Sequence, residues 1–198
     1  MSDGITIAIL AGGRSSRMGV DKSFVRLLGK TLIQHVLGRL TPLGAPIILI
    51  TNRPEAYAPL GLSMFGDVIP DKGSLGGLYS AVTHSPTGHT LCVACDMPFL
   101  NPALLEYLIG LRQGYDVIVP RINGFPETLH AIYHKNCLGP MREQIEGDRL
   151  KIVGFYGQVR VRLVEEAEVK RFDPDLRSFV NVNTPEELAE IQRQMAES

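Results

Sequence analysis

Residues 10–22 read LAGGRSSRMGVDK, and they gather bare backbone and positive charge in one place. An apolar run at 5–10 stops abruptly at Ala11-Gly12-Gly13, and a polar loop carrying Arg14, Arg17, Asp21 and Lys22 follows. Glycines clear side chains from the main chain, so its N–H groups can approach an anion while the cations offset the anion's charge. The chemistry this suits is capture of a phosphate chain. Two other phosphate-binding patterns do not fit. A dinucleotide fingerprint needs glycines spaced G-x-G-x-x-G, whereas here they fall at 12, 13 and 19. Gly29-Lys30-Thr31 looks like the end of a P-loop, but the first glycine of that pattern would fall on Phe24, so the tripeptide reads as a turn into the next helix.

Three further segments could carry chemistry. Asp96 ends an apolar run and precedes Met97-Pro98-Phe99-Leu100. A carboxylate at a strand tip beside a turn-fixing proline can hold a divalent cation, and Mg²⁺ favours one or two carboxylates plus substrate phosphates. The competing reading is a carboxylate that only caps the turn. The second segment, DVIPDKGSLGG at 67–77, has four small residues that admit a flat ring or another backbone at close range. A plain turn into a helix explains it equally well. The third, FVNVNTP at 179–185, projects Asn181 and Asn183 the same way if it is extended. Both could bond a ligand, or Asn183 and Thr184 could simply open the last helix.

Other candidates lose on geometry. Cys92 and Cys95 form a C-x-x-C, but residues three apart on a strand face opposite ways, so they read as core cysteines. His130 and His134 are four apart in a strand-like segment without the helical H-E-x-x-H setting of a zinc site. No Ser/His/Asp or Cys/His nucleophilic arrangement stands out.

Elements that could position these segments are legible as short apolar runs alternating with helical patterns. Strands are expected at 5–10, 46–51, 90–95, 116–119, 129–133 and 160–164, several of them apolar throughout, as in strands covered on both faces. Helices are expected at 31–40, with Leu32, Val36 and Leu40 on one stripe, and at 75–82 after a glycine-rich lead-in. Another follows Asn101 as cap and Pro102 as first residue, and a last one spans 185–195 behind a Thr184–Glu187 capping box. Residues 120–126 read as an exposed loop. The alternation implies an α/β fold of three layers, a mostly parallel twisted sheet with helices on both faces. Ligands of such sheets bind beyond the carboxyl ends of the strands, where Leu10–Gly13 and Cys95–Asp96 both fall.

Composition narrows the setting. The chain has 198 residues, 44% of them hydrophobic and 21% charged, the profile of a single globular domain over 1–198. A net charge of -1 gives no reason to expect a nucleic acid or an anionic membrane as partner. No apolar stretch approaches the roughly 20 residues of a membrane helix, and the start lacks the basic-then-apolar pattern of a secretory signal. Three cysteines argue against a disulfide framework and for the cytoplasm.

Taken together, LAGG-x-S-x-R-M-G-x-D-K, the C-D-x-P-x-L strand end and the late F-x-N-x-N-T-P-E segment resemble the bacterial molybdenum cofactor guanylyltransferases, from Ile5 to about Met195. The resemblance implies a nucleotidyltransferase fold and transfer of GMP from GTP to molybdopterin with Mg²⁺ as cofactor. It implies nucleotide contacts from Leu10, Ala11, Gly12 and Gly13, a phosphate contact from Lys22, and nucleotide contacts from Asn52 and Asp67. Asp96 would bind both nucleotide and metal, with Arg17, Lys22 and Asp96 as the catalytic set. Asn181 and Asn183 would close the acceptor side, the N-terminal part binding nucleotide and the C-terminal part acceptor. Cofactor-biosynthesis and molybdoenzyme-maturation proteins are implied as further partners. The chain departs from the family where G-P-L-A-G becomes Gly73-Ser74-Leu75-Gly76-Gly77, and where Q-P-L becomes Glu127-Thr128-Leu129. Cytidylyl-transferring relatives carry a bulkier acidic residue near the end of the first of these segments, so small residues here leave room for a purine. A transferase using CTP, or acting on a sugar or alcohol phosphate, remains an alternative, as does a nucleotide-binding adaptor that delivers cofactor without catalysis.

Overall fold

The computed structural model describes residues 4–11, 22–182 and 185–196. In chain order its elements are β1 (Ile5–Leu10), β2 (Arg26–Leu27), β3 (Lys30–Thr31), α1 (Leu32–Leu40), β4 (Ile47–Ile50), α2 (Pro54–Tyr57), β5 (Ser63–Phe65), α3 (Gly73–His84), β6 (His89–Ala94), α4 (Pro102–Gly110), β7 (Val117–Ile122), β8 (Phe125–Pro126), β9 (His130–His134), α5 (Leu138–Glu146), β10 (Val161–Glu165), α6 (Glu166–Val169) and α7 (Pro185–Ala196). Short 3₁₀ turns join several of them, one beginning at Lys22.

The main sheet runs β10-β7-β9-β6-β1-β4-β5, with β8 paired to β7. Neighbours are parallel except around β9, which runs against both β6 and β7, and at the β7–β8 hairpin. The expected mostly parallel α/β sheet is therefore what forms. β1 (ITIAIL) lies at its centre because alternate residues can bury on both faces. Ile7 and Ile9 pack with α1 and α4 through Ile33, Val36, Leu104 and Leu108. Ala8 and Leu10 pack with α3 and α5 through Leu78, Ala81, Met141 and Ile145. The chain leaves β1 toward β4 and β5, then returns through α3 to lay β6 on the opposite side of β1. That reversal opens a crevice at the carboxyl ends of β1 and β6.

Caps follow the local chemistry. Asn101 opens α4 by accepting from the amides of Ala103 and Leu104, with Pro102 in the first turn. Thr31 caps α1 in a reciprocal box with Gln34, so that helix starts at Leu32. Gly29-Lys30-Thr31 is the turn expected: Leu28 and Gly29 form the bend of the β2–β3 hairpin at positive φ, and α1 follows. The cap expected at Thr184 lies outside the described residues.

Two expectations need correction. Residues 120–126 are not a loop: β7 runs to Ile122, Asn123 and Gly124 turn at φ 50° and 82°, and β8 returns along β7. Asn-Gly is the pair that adopts such a two-residue hairpin turn, and its signal was masked by the flanking prolines. The helix expected at 75–82 starts two residues earlier, α3 running from Gly73 to His84. The sequence reading also found no helix at α5, whose Pro140 is tolerated because it falls in the first turn.

His130 on β9 is fully buried against Phe179, ring centroids 4.7 Å apart, and neither ring nitrogen meets a hydrogen-bond partner among the described residues. Burial pushes its pKa down to about 4, with Asp173 pulling the other way. The folded protein thus keeps the ring neutral where the unfolded chain, near 6.5, takes a proton. Stability should fall as pH drops from about 6.5 to 4, with a slope of up to about 1.4 kcal/mol per pH unit from this residue. Urea unfolding of His130→Leu across that range should show a slope smaller by that amount; an unchanged slope would contradict the assignment.

Candidate functional site

Two half-sites meet at the crevice. The first forms where β1, β4 and β5 end. Asn52 follows β4, and its side chain makes a reciprocal pair with Asp67: Nδ2 donates to Asp67 Oδ2 at 2.8 Å, and the Asp67 amide donates to Asn52 Oδ1 at 2.8 Å. Gly66 leaves room for that pair, since a Cβ there would press on Asn52 Oδ1 at 3.2 Å. The loop after Asp67 is fastened to α3 by Ser80, whose hydroxyl receives the Val68 amide at 2.9 Å and donates to the Gly76 carbonyl at 2.8 Å. A Cβ on Gly77 would lie 3.2 Å from Leu10 Cδ2 and 3.9 Å from Asp67 Oδ1. Leu10, Asn52, Asp67 and Gly77 therefore border one small region, walled on one side by helix backbone.

The main chain in this region is partly committed. The Ala11 amide donates to Ile50 at 2.9 Å, and the Leu10 carbonyl accepts from Cys95 at 3.2 Å. The second of these bonds ties the exit of β1 directly to the residue before Asp96.

The second half-site holds Lys22 and Asp96. Burial lifts the Asp96 carboxyl above its ordinary value, while Lys22 and the aspartate's own amide draw it back. The two are brought together by neighbours the sequence reading did not single out. Tyr57 Oη donates to Ser23 Oγ at 2.8 Å, and Ser23 Oγ donates to Cys95 Sγ at 3.1 Å. Ser23 and Tyr57 are fully buried, so this relay pins the residue after Lys22 to the residue before Asp96. Cys92 and Cys95 face opposite sides of the sheet, as their spacing predicted.

Asn181 reaches the same place along the late segment. The Val182 amide donates to the Asp96 carbonyl at 3.1 Å, and Val182 is buried. Upstream, the carboxylate of Asp173 receives the amides of Arg177 and Ser178, and the Ser178 hydroxyl receives the Asn101 amide. A cavity of about 260 Å³ opens between Asp96, Asn181 and the Pro126–Leu129 loop. Gly12, Gly13, Arg14, Arg17, Asp21 and Asn183 lie outside the described residues.

Chemically, a site with a hard carboxylate, an amide oxygen and a lysine at one strand end can take a phosphate-bound divalent cation. A sheet of this topology with such a site at its switch point is that of a nucleotidyltransferase. The MobA-like NTP transferase domain matches residues 7–159. A probable molybdenum cofactor guanylyltransferase of Pelotomaculum thermopropionicum is 37% identical over 98% of this chain and 94% of its own. The molybdenum cofactor guanylyltransferase of Desulfosudis oleivorans is 33% identical over 96% and 95%. Among solved structures, molybdopterin-guanine dinucleotide biosynthesis protein A from Archaeoglobus fulgidus superposes with a TM-score of 0.84 at 28% identity, over 98% of this chain and all of that one. The chain belongs to the molybdenum cofactor guanylyltransferase family of MobA-like NTP transferases.

Two substitutions test this geometry. Asn52→Ala should weaken nucleotide binding about tenfold or more by releasing Asp67, while costing less than about 1 kcal/mol of stability because the pair is exposed. Titration calorimetry and thermal melting read the two effects separately. Tyr57→Phe should lower turnover by loosening Ser23 while leaving nucleotide affinity nearly unchanged; steady-state kinetics showing only a change in KM would contradict that role.

Proposed function

We propose that this chain transfers GMP from GTP to the terminal phosphate of molybdopterin, forming a guanine dinucleotide cofactor and releasing pyrophosphate. The observation that carries the reading is the meeting of Lys22 and Asp96 beside the Leu10–Asn52–Asp67–Gly77 region at a sheet switch point. The relatives named guanylyltransferases support the same nucleotide. CTP is less favoured because Gly77, whose Cβ position faces Leu10 and Asp67, keeps the base region open on the side of α3.

The acceptor already bears a phosphate, so no protein nucleophile is required. One of its oxygens attacks the α-phosphorus of GTP, the bond to the bridging oxygen breaks, and pyrophosphate departs with the electron pair. Both reactants are polyanions, so catalysis reduces to positioning and charge neutralisation. The base would rest against Leu10 and Gly77, with Asn52 and Asp67 beside the guanosine. Because the Ala11 amide is spent on Ile50 and the Leu10 carbonyl on Cys95, contacts from Leu10 and Ala11 fall to the Ala11 carbonyl and the Leu10 side chain. Gly12 and Gly13 would donate amides to the phosphates, and Arg17 and Lys22 would offset charge on the leaving group.

Asp96 fits a divalent cation: its carboxylate is desolvated and lines a cavity that it shares with the Asn181 amide. Bound there, Mg²⁺ would neutralise phosphate oxygens. Asn181 and Asn183 would hold the acceptor side. The domain would span 1–198, its N-terminal part binding nucleotide and its C-terminal part acceptor. Among the described residues no helix is long and apolar enough to cross a membrane. A cytoplasmic setting, with cofactor-biosynthesis and molybdoenzyme-maturation proteins as further partners, completes the proposal.

Pyrophosphate release from GTP with Mg²⁺ and molybdopterin, compared with CTP, UTP and ATP, tests the reaction; release only with CTP would contradict it. Lys22→Ala and Asp96→Ala should each lower turnover about 100- to 1,000-fold, the effect of removing one preorganised charge. Circular dichroism should show both folded. Full activity in a folded Asp96→Ala protein would remove the metal assignment.

A further inference from the structure

Glu127 lines the same cavity as Asp96 and Asn181, yet it has no evident task in handling phosphate. Its backbone is rigidly held. The Glu127 amide donates to Pro120 at 2.8 Å, its carbonyl accepts from His130 at 3.0 Å, and the next two carbonyls accept from Tyr133 Oη at 2.7 Å and the Ala94 amide at 3.1 Å. A side chain carried on such a loop is aimed rather than loose.

Its carboxylate has neither a hydrogen bond nor an ion pair among the described residues. Two other buried carboxylates are satisfied: Asp116 is held by Arg160 and Asn136, and Asp173 by two backbone amides. Burial shifts the Glu127 carboxyl upward. An acid left half-buried without a donor is costly unless a ligand supplies one.

The rest of the cavity indicates the ligand. Ala94, Met97, Pro126 and Leu129 give it apolar walls, while Thr128 and Asn181 add polar edges. About 260 Å³ is below the usual range for a whole drug-sized ligand, and suits one small ring system. A pterin presents a 2-amino group and a ring N–H side by side, and this pair of donors matches the two oxygens of a carboxylate.

We infer that Glu127 is a specificity-determining residue that grips the 2-amino–N3-H edge of the acceptor's pterin, with the ring lying between the apolar walls and its phosphate directed toward Asp96. The inference rests on the acceptor assignment above. The Glu127–Thr128 departure from the family's Q-P-L then bears directly on how the acceptor ring is read.

Lumazine, which carries a carbonyl where pterin carries the amino group, separates this role from others. Binding of 6-hydroxymethylpterin and its lumazine counterpart to the full chain can be followed by ligand fluorescence. The wild-type protein should favour the pterin roughly 10- to 100-fold, the effect of a charge-assisted bidentate contact. Glu127→Gln, whose amide offers one donor and one acceptor, should abolish or reverse that preference while GTP affinity and melting temperature stay the same. Wild-type protein that binds both rings equally, or neither, overturns the inference without recourse to any variant. So does a Glu127→Gln protein that keeps its pterin preference, or that loses Mn²⁺ binding by electron paramagnetic resonance with pterin affinity intact. Normal GTP turnover alongside equal ring binding would overturn this inference alone, whereas absence of pyrophosphate release would count against the transfer reaction itself.

Discussion

The molecule depends on the parallel pairing of β1 with β6. Leu10 stands opposite Ala94 in that register, and the Cys95 amide then closes onto the Leu10 carbonyl. These contacts place the start of the glycine loop and the tip carrying Asp96 side by side, although more than eighty residues separate them in the chain. Shifting the register by one residue would turn every side chain of β1 to the opposite face, exchanging Ile7 and Ile9 with Ala8 and Leu10 between two differently shaped cores. The core therefore enforces the register, and the register assembles the site.

Around that pairing, each site residue is held by a neighbour whose own side chain does no chemistry. Tyr57 and Ser23 fix the approach of Lys22 to Asp96. Ser80 fixes the loop that carries Asp67. Asp173, Ser178 and Asn101 fix the late segment that brings Asn181 to the cavity. The buried side chains of Tyr57, Ser23, Ser80, Asp173 and Ser178 are satisfied by one another and by nearby backbone, so the crevice can stay open without loosening the sheet.

Much of this was legible in the chain. Continuous apolar runs gave the six principal strands to within a few residues, since strands buried on both faces need little else. Asn101-Pro102 marked α4 because a capping side chain and a proline first turn act locally. The short elements were harder. β5, with three residues, and the β2–β3 hairpin are too brief for any periodicity to register. α5 was hidden by Gly139-Pro140, and the β7–β8 hairpin by prolines at 120 and 126. At the site, Asp96 stood out by its place at the end of an apolar run before a proline turn, whereas Asn52 and Asp67 were singled out only through a family resemblance. Ser23, Tyr57 and Glu127 were not assigned roles, because their significance lies in contacts between distant segments that no local spacing encodes.

The most direct measurement of the central claim is a crystal structure of the full chain with GTP and Mg²⁺. The account predicts guanine against Leu10 and Gly77, Asn52 and Asp67 beside the nucleoside, and the α-phosphate with its metal between Lys22 and Asp96. A nucleotide bound elsewhere, or a metal ion that leaves Asp96 untouched, would contradict it.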